Sequence, residues 1–263
     1  MKNLSTREIG IMIKKTVAIL QARTSSSRFP NKVLEDVNGE PMIIRQIDRI
    51  VKSKRISKLI VATSLDSSDD ALVETLEKHG VQFFRGPLEN VFLRFLTVIN
   101  SEDGDYFVRL TGDCPLVMPS VIDDLLESFN PEIYDYMSNT IEPTFPDGLD
   151  VEVFTRAAFL SLQNLSLTHE EREHVTLAFH RNKENFKLAN FRGNPDRSTM
   201  RWTVDYPEDL LFVRSVYDHF KGHESTFGYA QVLEFLSSNP EVVSIISANR
   251  RNEKLLKSTE GHN

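Results

Sequence analysis

Apolar residues in the first half of the chain form short runs that alternate with stretches of helical spacing. Four runs rich in Val, Ile, Leu and Phe predict buried strands, over residues 16–21, 59–63, 81–84 and 106–110. Four stretches with apolar residues at every third or fourth position predict helices, over residues 42–51, 67–79, 90–100 and 119–129. This alternation implies right-handed crossovers and a mostly parallel sheet with helices on both faces.

The pattern becomes less regular after about residue 134, where a proline-containing loop interrupts it. One strand is predicted over residues 134–138. A second is predicted over residues 149–154, where apolar and polar residues alternate as they do in a half-buried strand. Four further stretches predict helices, over residues 155–165, 169–180, 207–220 and 229–237.

No linker, repeat or low-complexity tract divides the chain. We therefore predict a single α/β domain over residues 15–248, with a Rossmann-like, mostly parallel sheet and a small β-containing arm near residues 139–190. Residues 1–14 are predicted to be an N-terminal extension, with Met12 as an alternative translation start. Residues 249–263 are predicted to be a polar tail.

The charge of the chain narrows the classes of partner. Its 263 residues carry 31 Lys and Arg against 38 Asp and Glu, a formal net charge of -7. Binding to nucleic acid or to an anionic membrane depends on clustered positive charge, so neither is expected. No apolar run approaches the roughly 20 residues of a membrane-spanning helix. The single cysteine, Cys114, excludes an intramolecular disulfide, and the expected setting is cytoplasmic.

The first candidate for chemistry is the segment 21–32, which directly follows the first predicted strand. It carries three cations, Arg23, Arg28 and Lys32, with four hydroxyl side chains between them. Ligands of α/β sheets bind at the carboxyl ends of strands, where N–H groups, hydroxyls and cations suit a polyphosphate. The Gly-Lys-Ser/Thr of a Walker loop is absent, so a solvated basic loop stays an alternative to phosphate binding.

Two aspartates form the second candidate. Asp113 comes after the fourth predicted strand, and Gly112 before it permits a tight turn. Asp205 is predicted to end a short strand before Pro207 opens a helix. Mg²⁺ takes one or two protein carboxylates and completes its shell with water and phosphate oxygens, which suits this pair. The alternatives are a turn residue at Asp113 and a helix cap near Asp205.

Together, the motifs resemble the cytidylyltransferase family that includes CMP-Kdo synthetase and the acylneuraminate cytidylyltransferases, and most closely its spore-coat-polysaccharide type. The family pattern Gln-Ala-Arg-x-x-Ser-x-Arg-x-Pro-x-Lys is matched by Gln21, Ala22, Arg23, Ser26, Arg28, Pro30 and Lys32. Further similar segments lie at residues 61–64, 69–70, 84–86, 90–91, 111–115, 138–140, 145–153, 172–174 and 201–205. The likeness spans roughly residues 16–220. The family often has Gly where Ser25 and Asn31 stand, and Asn is the milder change because it tolerates left-handed backbone.

The resemblance implies a nucleotide-diphospho-sugar-transferase-like fold and transfer of CMP from CTP to an acceptor oxygen, with release of pyrophosphate. It also implies Mg²⁺ as cofactor, held by Asp113 and Asp205, which would act in catalysis with Arg23 and Lys32. The implied nucleotide-binding residues are Gln21, Ala22, Arg23, Ser27, Arg28, Lys32, Arg85, Asn90, Thr111 and Gly112. The implied acceptor-binding residues are Asn139, Asp147, Asp150, Glu152, Arg172, His174 and Arg201.

Three functions stay open. The favoured one makes an activated sugar or sugar acid for a surface polysaccharide or other glycan from CTP and a small acidic or phosphorylated acceptor, which Arg172 and Arg201 would suit. A phosphate- or phosphonate-bearing acceptor would instead give a CDP-type product. A degenerate relative would bind without catalysis. The resemblance also implies a homodimer formed through an arm at residues 140–154.

Overall fold

The protein is described by a computed structural model over residues 15–245. The predicted extension, including Met12, and the predicted tail at 249–263 lie outside the described residues. Within residues 15–245, no helix is both long enough and apolar enough to span a membrane.

Nine strands and ten α-helices build the described part of the chain. The strands are β1 Thr16–Gln21, β2 Asp36–Val37, β3 Glu40–Pro41, β4 Lys58–Ser64, β5 Phe83–Gly86, β6 Tyr106–Thr111, β7 Tyr136–Ser138, β8 Glu152–Thr155 and β9 Leu188–Asn190. The first five helices are α1 Met42–Ile50, α2 Asp70–Lys78, α3 Val91–Ser101, α4 Pro119–Ser128 and α5 Arg156–Ser161. The other five are α6 His169–Glu173, α7 Leu177–Arg181, α8 Pro207–His219, α9 Tyr229–Ser238 and α10 Pro240–Ile245.

Seven of these strands form one sheet in the order β5-β4-β1-β6-β8-β7-β9. The first four are parallel, which confirms the predicted mostly parallel sheet. Only β8 runs against its neighbours, pairing antiparallel with β6 and β7, whereas β9 is parallel to β7. The strands of the predicted arm thus extend the main sheet. β2 and β3 form a separate two-stranded hairpin.

Both faces of the sheet are covered, and β1 shows this residue by residue. Its Ala18 and Leu20 pack into a core cluster that includes apolar residues of α1, α4 and α8. Its Val17 and Ile19 face the opposite cluster, which includes residues of α3, α5 and α7. These four side chains are at most 2% exposed. A strand buried on both faces is apolar at successive positions, which explains the continuous run in the sequence.

The structure departs from the predicted elements in three places. The helix predicted over 169–180 is two short helices, because His174 leaves helical backbone with φ -103° and ψ 53°. The segment 149–154 is strand only from Glu152, and this glutamate is 5% exposed, so β8 is buried on both faces. Four short elements, β2, β3, β9 and α10, were not predicted from the sequence.

Gly148 allows the loop before β8 to lie against the segment that carries Trp202 and Thr203. Its φ is 109°, and a Cβ there would lie 2.6 Å from backbone atoms of both residues. We expect Gly148→Ala to lower the free energy of unfolding by at least about 2 kcal/mol, because strained backbone costs roughly 1–3 kcal/mol and steric overlap adds to it. Urea denaturation measures the loss.

The matched control is Gly222→Ala, since Gly222 also has a positive φ, 86°, but no atom lies within 4 Å of its added Cβ. That variant should show the backbone contribution alone. Equal losses in the two variants would mean that the close approach at Gly148 relaxes without cost.

Candidate active site

The loop after β1 folds back on itself at the carboxyl ends of the central strands. The carbonyl oxygen of Thr24 accepts hydrogen bonds from the N–H groups of Ser26 and Asn31, both at 2.8 Å. Asn31 has φ 61°, in the left-handed region that Asn tolerates. The turn places the side chains of Arg23 and Arg28 along one cavity.

Asp69 anchors this loop to the neighbouring strand β4. One carboxylate oxygen accepts from the N–H of Thr24 at 2.7 Å and from its hydroxyl at 2.9 Å. The other accepts from the N–H of Ser64 at 3.1 Å and from its hydroxyl. Burial would raise the pKa of Asp69, but the hydrogen bonds from Ser64 and Thr24 outweigh it and lower the pKa. The carboxylate is therefore ionised and fully buried, and it fixes where the loop starts.

Asp69→Asn should destabilise the protein by about 1–3 kcal/mol at pH 7, since an amide N–H₂ would face N–H and O–H donors. A group whose folded pKa is depressed stabilises above its unfolded pKa of about 3.9, and that stability is lost as the pH falls. The gap between wild type and variant should therefore narrow below about pH 4 in urea titrations. Asp70→Asn is the control because the Asp70 side chain is 56% exposed and pairs only at the surface with Arg85.

Gly112 brings the ends of β1 and β6 together. A Cβ at Gly112 would lie 2.9 Å from the Cβ of Ala22 and 3.2 Å from the carbonyl oxygen of Gln21. The N–H of Gly112 donates to that same carbonyl at 2.8 Å. The glycine thus lets Asp113 emerge directly beside the basic loop.

Lys32 joins the two predicted metal carboxylates. Its Nζ lies 3.3 Å from Oδ2 of Asp113, 3.0 Å from Oδ1 of Asp205 and 2.6 Å from the carbonyl oxygen of Val204. Arg28 reaches the same Asp205 oxygen at 2.5 Å. Burial would lower the pKa of Lys32, but the charges of Asp113 and Asp205 raise it. The structure therefore brings four sequence-predicted residues into one charged cluster.

Both aspartates are held in the anionic form. Burial would raise the pKa of Asp113, but the nearby Lys32 charge keeps it below the ordinary value. The pKa of Asp205 is likewise well below its usual range, through Lys32, Arg28 and Arg201 acting against burial. The backbone of Asp113 is fixed as well, because its carbonyl oxygen accepts from the N–H of Val204 at 2.8 Å.

Arg201 lies behind these carboxylates. Its guanidinium contacts Asp147 at 3.0 Å, Asp205 at 2.9 Å and Asp209 at 3.2 Å, and the residue is 7% exposed. Asp209 also accepts from the N–H groups of Asp205, at 2.8 Å, and Tyr206, at 3.0 Å, at the start of α8. The predicted short strand at 201–205 reduces to one isolated bridge between Arg201 and Asp147. Arg201 positions carboxylates, and the geometry does not support its predicted role in binding the acceptor.

A chain of polar contacts lines the other half of the cavity. Arg109 on β6 pairs with Glu152, its cross-strand neighbour on β8. Glu152 also accepts a hydrogen bond from the Tyr136 hydroxyl at 2.5 Å, and that hydroxyl lies 3.1 Å from Nε2 of His180. Burial raises the pKa of Tyr136, so its single proton stays on the oxygen and points to Glu152. The Nε2 of His180 is therefore the donor to the tyrosine oxygen.

Burial lowers the pKa of His180, with Glu152 opposing this effect, so the imidazole is neutral near pH 7. No role was predicted from the sequence for Arg109, which begins the motif around Asp113, or for Tyr136, Thr176 and His180. Arg109 carried a usable signal, because it lies two residues before Thr111 on the same strand. The other three depend on contacts made by the folded chain.

The predicted nucleotide-binding residues divide into those that line the cavity and those that do not. The lining residues are Gln21, Ala22, Arg23, Ser27, Arg28, Lys32, Thr111 and Gly112. Arg85 is instead bound to the Ser64 carbonyl oxygen at 2.7 Å and to Asp70 at 2.8 Å. Asn90 caps α3, its side-chain oxygen accepting from the N–H of Leu93 at 2.9 Å. Neither of these two lines the cavity, so the geometry supports a structural role for both.

The predicted acceptor-binding residues divide in the same way. Four of them line the cavity: Asp147, Asp150, Glu152 and His174. The Asn139 amide is fully buried and binds only backbone groups in the contacts that the fold provides. It donates to the Leu149 carbonyl oxygen at 2.7 Å and accepts from the Val151 N–H at 2.8 Å. Arg172 is exposed on α6 and does not line the cavity. Asn139 and Arg172 therefore do not take the predicted places, and neither does Arg201.

Cys114 is a buried thiol, and it lines the same part of the cavity as Asp147, Asp150, Glu152 and His174. Burial raises its pKa well above the ordinary value, with the Asp113 charge adding to the effect. A protonated thiol is a poor nucleophile. Cys114 is therefore not a candidate nucleophile.

The two aspartates fit a divalent cation bound together with a nucleotide. Within residues 15–245, no three His, Cys, Asp or Glu side chains converge into a complete metal site. Asp113 and Asp205 nevertheless supply two anionic carboxylates, with side chains 31% and 16% exposed. This is the donor set that Mg²⁺ takes when water and phosphate oxygens complete its octahedron.

Comparisons with known proteins identify the family. The sequence profile of a family described as cytidylyltransferase matches residues 17–240. The spore coat polysaccharide biosynthesis protein SpsF of Bacillus subtilis is 29% identical over 234 residues, which are 86% of this chain and 95% of SpsF. A cytidylyltransferase structure from Leptospira borgpetersenii matches with a TM-score of 0.84 at 29% identity, covering 89% of this chain and 98% of that one. The structure of CMP:2-keto-3-deoxy-manno-octonic acid synthetase complexed with CTP shares the fold, with a TM-score of 0.61 at 18% identity over 78% of this chain and 99% of that one.

Proposed function

The chain belongs to the cytidylyltransferase family, and from that premise we propose that it transfers CMP from CTP to a hydroxyl of a sugar acceptor and releases pyrophosphate. The product would be an activated sugar for a surface polysaccharide or another glycan. SpsF, which is similar over nearly its whole length, supports this placement by its name. The similar fold of a synthetase complexed with CTP supports CTP as the donor.

One observation carries the proposal: Asp113, Lys32 and Asp205 meet within 3.3 Å at the carboxyl ends of β1 and β6. Two carboxylates and a buried cation at that edge of a parallel sheet suit a metal-bound triphosphate. Arg28, on the same Asp205 oxygen, adds a second cation. A scaffold that only bound sugars would not need two ionised carboxylates joined by a buried lysine.

Different residues would bind the metal and the phosphates. Asp113 and Asp205 would hold Mg²⁺, and the ion supplies electrostatic stabilisation of the charge that builds on the leaving pyrophosphate. Arg23, Arg28 and Lys32 bind and orient the β- and γ-phosphates, and they offset that same charge. Lys32 and Arg28 are already fixed by carboxylates, so little side-chain freedom is lost when the phosphates arrive.

The acceptor occupies the half of the cavity lined by Asp147, Asp150, Glu152 and His174. Its hydroxyl would approach the α-phosphorus opposite the leaving pyrophosphate. From the sequence, Arg172 and Arg201 were candidates to bind a carboxylate or phosphate of the acceptor. Neither side chain lines the cavity, so other residues would have to bind such a group.

Nucleotide selectivity tests the proposal. The full chain should bind CTP more tightly than UTP, ATP or GTP in calorimetric titrations, and only with Mg²⁺ present. With CTP and a panel of sugars it should then release pyrophosphate in a coupled assay. Equal affinity for the four nucleotides, or binding that EDTA leaves unchanged, would contradict it and favour a non-catalytic relative.

We also propose that the enzyme is a homodimer, which the resemblance to the family implies for residues 140–154. In this structure most of that segment packs inside its own chain, and β8 pairs with β6 and β7. A dimer would therefore use the exposed edge of the segment, around Glu142. Size-exclusion chromatography with light scattering tests this, and a monomer at micromolar concentration would contradict it.

A further inference from the structure

The half of the cavity next to the loop after β1 shares part of its lining with the half that would hold the acceptor. Six residues line both halves: Arg28, Arg109, Thr111, Asp113, His174 and Asp205. The α-phosphorus of a bound nucleotide has to lie at this boundary, because the acceptor oxygen reaches it from one side while pyrophosphate leaves on the other. The boundary residues are therefore the candidates for contact with the α-phosphoryl group.

Arg109 is the cation that the central strand β6 adds to this boundary. Asp113 and Asp205 are assigned to the metal, and Arg28 is bound to Asp205 at 2.5 Å. The side chain of Arg109 is 13% exposed. Burial would lower its pKa, but the charge of Glu152 and, to a smaller extent, that of Asp113 raise it. The guanidinium is therefore charged, and it lies within the field of a metal carboxylate.

Two neighbours hold the Arg109 guanidinium in a fixed orientation. Its Nη1 pairs with Glu152, which also accepts from the Tyr136 hydroxyl at 2.5 Å. Its Nε and Nη2 donate to Oε1 of Gln21, at 3.4 and 3.3 Å. Arginine offers no acceptor, so the oxygen of the Gln21 amide has to face it. A guanidinium oriented in advance loses little freedom when a ligand arrives.

The oriented guanidinium keeps a donor for a ligand. Nη2 carries two N–H groups, and among the contacts within residues 15–245 it makes one hydrogen bond, to Gln21. The contact of Nη1 with the Thr176 hydroxyl is long, at 3.5 Å. A phosphate oxygen can therefore take the second N–H of Nη2 while the pair between Arg109 and Glu152 stays in place.

We infer that Arg109 is a catalytic residue that binds a non-bridging oxygen of the α-phosphoryl group. This inference rests on the proposed function, because it assigns a contact within the same reaction. In the transfer, an acceptor oxygen bonds to the α-phosphorus while the bond from that phosphorus to the bridging oxygen breaks. The electron pair of the broken bond leaves with pyrophosphate, and the hydroxyl proton of the acceptor passes to water.

The cations of the site thus serve different parts of the nucleotide. Arg23, Arg28 and Lys32 come from the loop after β1 and bind the phosphates that leave. Arg109 comes from β6 and stabilises the charge on the phosphoryl group that stays with the acceptor. Its planar fork of N–H donors suits phosphate oxygens.

Ligands that differ by their phosphates test this contact without an acceptor. Cytidine, CMP and CTP are titrated into the full chain with Mg²⁺, and binding is followed by calorimetry and ligand-detected NMR. In the wild-type protein CMP should bind more tightly than cytidine, since only CMP carries the α-phosphate. Arg109→Gln should lower this preference about tenfold, the loss expected for a hydrogen bond between charged groups. The affinity for cytidine should stay the same.

Two further variants separate the contact from a structural role. Arg192→Gln is the matched control, because Arg192 is 61% exposed and its pair with Glu142 lies at the surface. It should leave both affinities unchanged. Arg109→Gln leaves the buried Glu152 without its cation, which lowers stability. Combining it with Glu152→Gln removes the pair together, and this double variant should lose the preference for CMP to the same extent.

The same titrations separate this inference from the proposed function. Equal losses for cytidine and CMP in the double variant, or an unchanged preference for CMP, would overturn the inference and leave Arg109 as a structural partner of Glu152. So would a wild-type protein that binds CTP but binds CMP no more tightly than cytidine. A wild-type protein that binds none of the three ligands refutes the proposed function, and the inference with it.

Discussion

Asp113→Asn is expected to lower the rate of pyrophosphate release from CTP by about 10²- to 10³-fold. The substitution removes one of two anionic ligands for the metal while keeping the shape of the side chain. Asp205 remains, but Lys32 would then turn wholly to it and weaken it as a ligand. The coupled assay for pyrophosphate measures the rate. A titration of Mg²⁺ should show that the half-saturating concentration rises in parallel.

The fold should survive this change. The backbone carbonyl of Asp113 still accepts from the N–H of Val204 and the hydroxyl of Thr203, and Lys32, which loses one carboxylate partner, keeps Asp205. Asp124→Asn is the matched control, since Asp124 is an exposed aspartate on α4. Turnover at the wild-type rate in Asp113→Asn, with urea denaturation unchanged, would disprove the metal assignment.

Arg201→Met should destabilise the protein by about 3–5 kcal/mol, the typical cost of removing one partner from a buried ion pair. The methionine fills a similar volume, but Asp147, Asp205 and Asp209 would remain close together without their shared cation. Urea denaturation at pH 7 measures the loss. Activity should fall as well, because Asp205 loses the contact that orients it.

The pH dependence of the stability loss in Arg201→Met shows whether the lost pairing with Asp205 causes it. The pKa of Asp205 lies below its usual range in the folded protein, so its pairing stabilises above about pH 4 and is lost on acidification. The deficit of Arg201→Met should therefore shrink as the pH falls. Arg192→Met is the control, since Arg192 is 61% exposed and its pair with Glu142 is worth about 0–1 kcal/mol. A deficit no larger than that of the control would contradict the role of Arg201.

Much of the fold was predictable because burial on both faces leaves a mark in the sequence. β1 is an apolar run, and Pro119 marks the start of α4. The helix over 169–180 was wrong as one element, because His174 leaves helical backbone after Glu173 and the buried apolar residues Val175, Ala178 and Phe179 all follow this break. A three-residue strand such as β9, partly exposed throughout, has too few positions for any period to be seen.

The site was predictable where position along a strand decides it. Asp113 lies just after β6 and Lys32 lies in the loop that follows β1, so the place of both at this edge of the sheet could be predicted. The placement of Arg201 behind the carboxylates could not be predicted, because its partner Asp147 lies 54 residues away and no local pattern shows that contact. The contacts of Arg85 could not be predicted for the same reason, since its partners Ser64 and Asp70 belong to β4 and α2.

The contacts of Lys32 also bear on the order in which the protein matures. Its ammonium group joins residues 81 and 173 positions further along the chain. Closing such long loops costs entropy that only the assembled core repays. During synthesis the first four parallel strands emerge from the ribosome long before Asp205 does. The growing chain therefore acquires its sheet before it can hold the charged cluster, and nucleotide binding becomes a property of the finished domain alone.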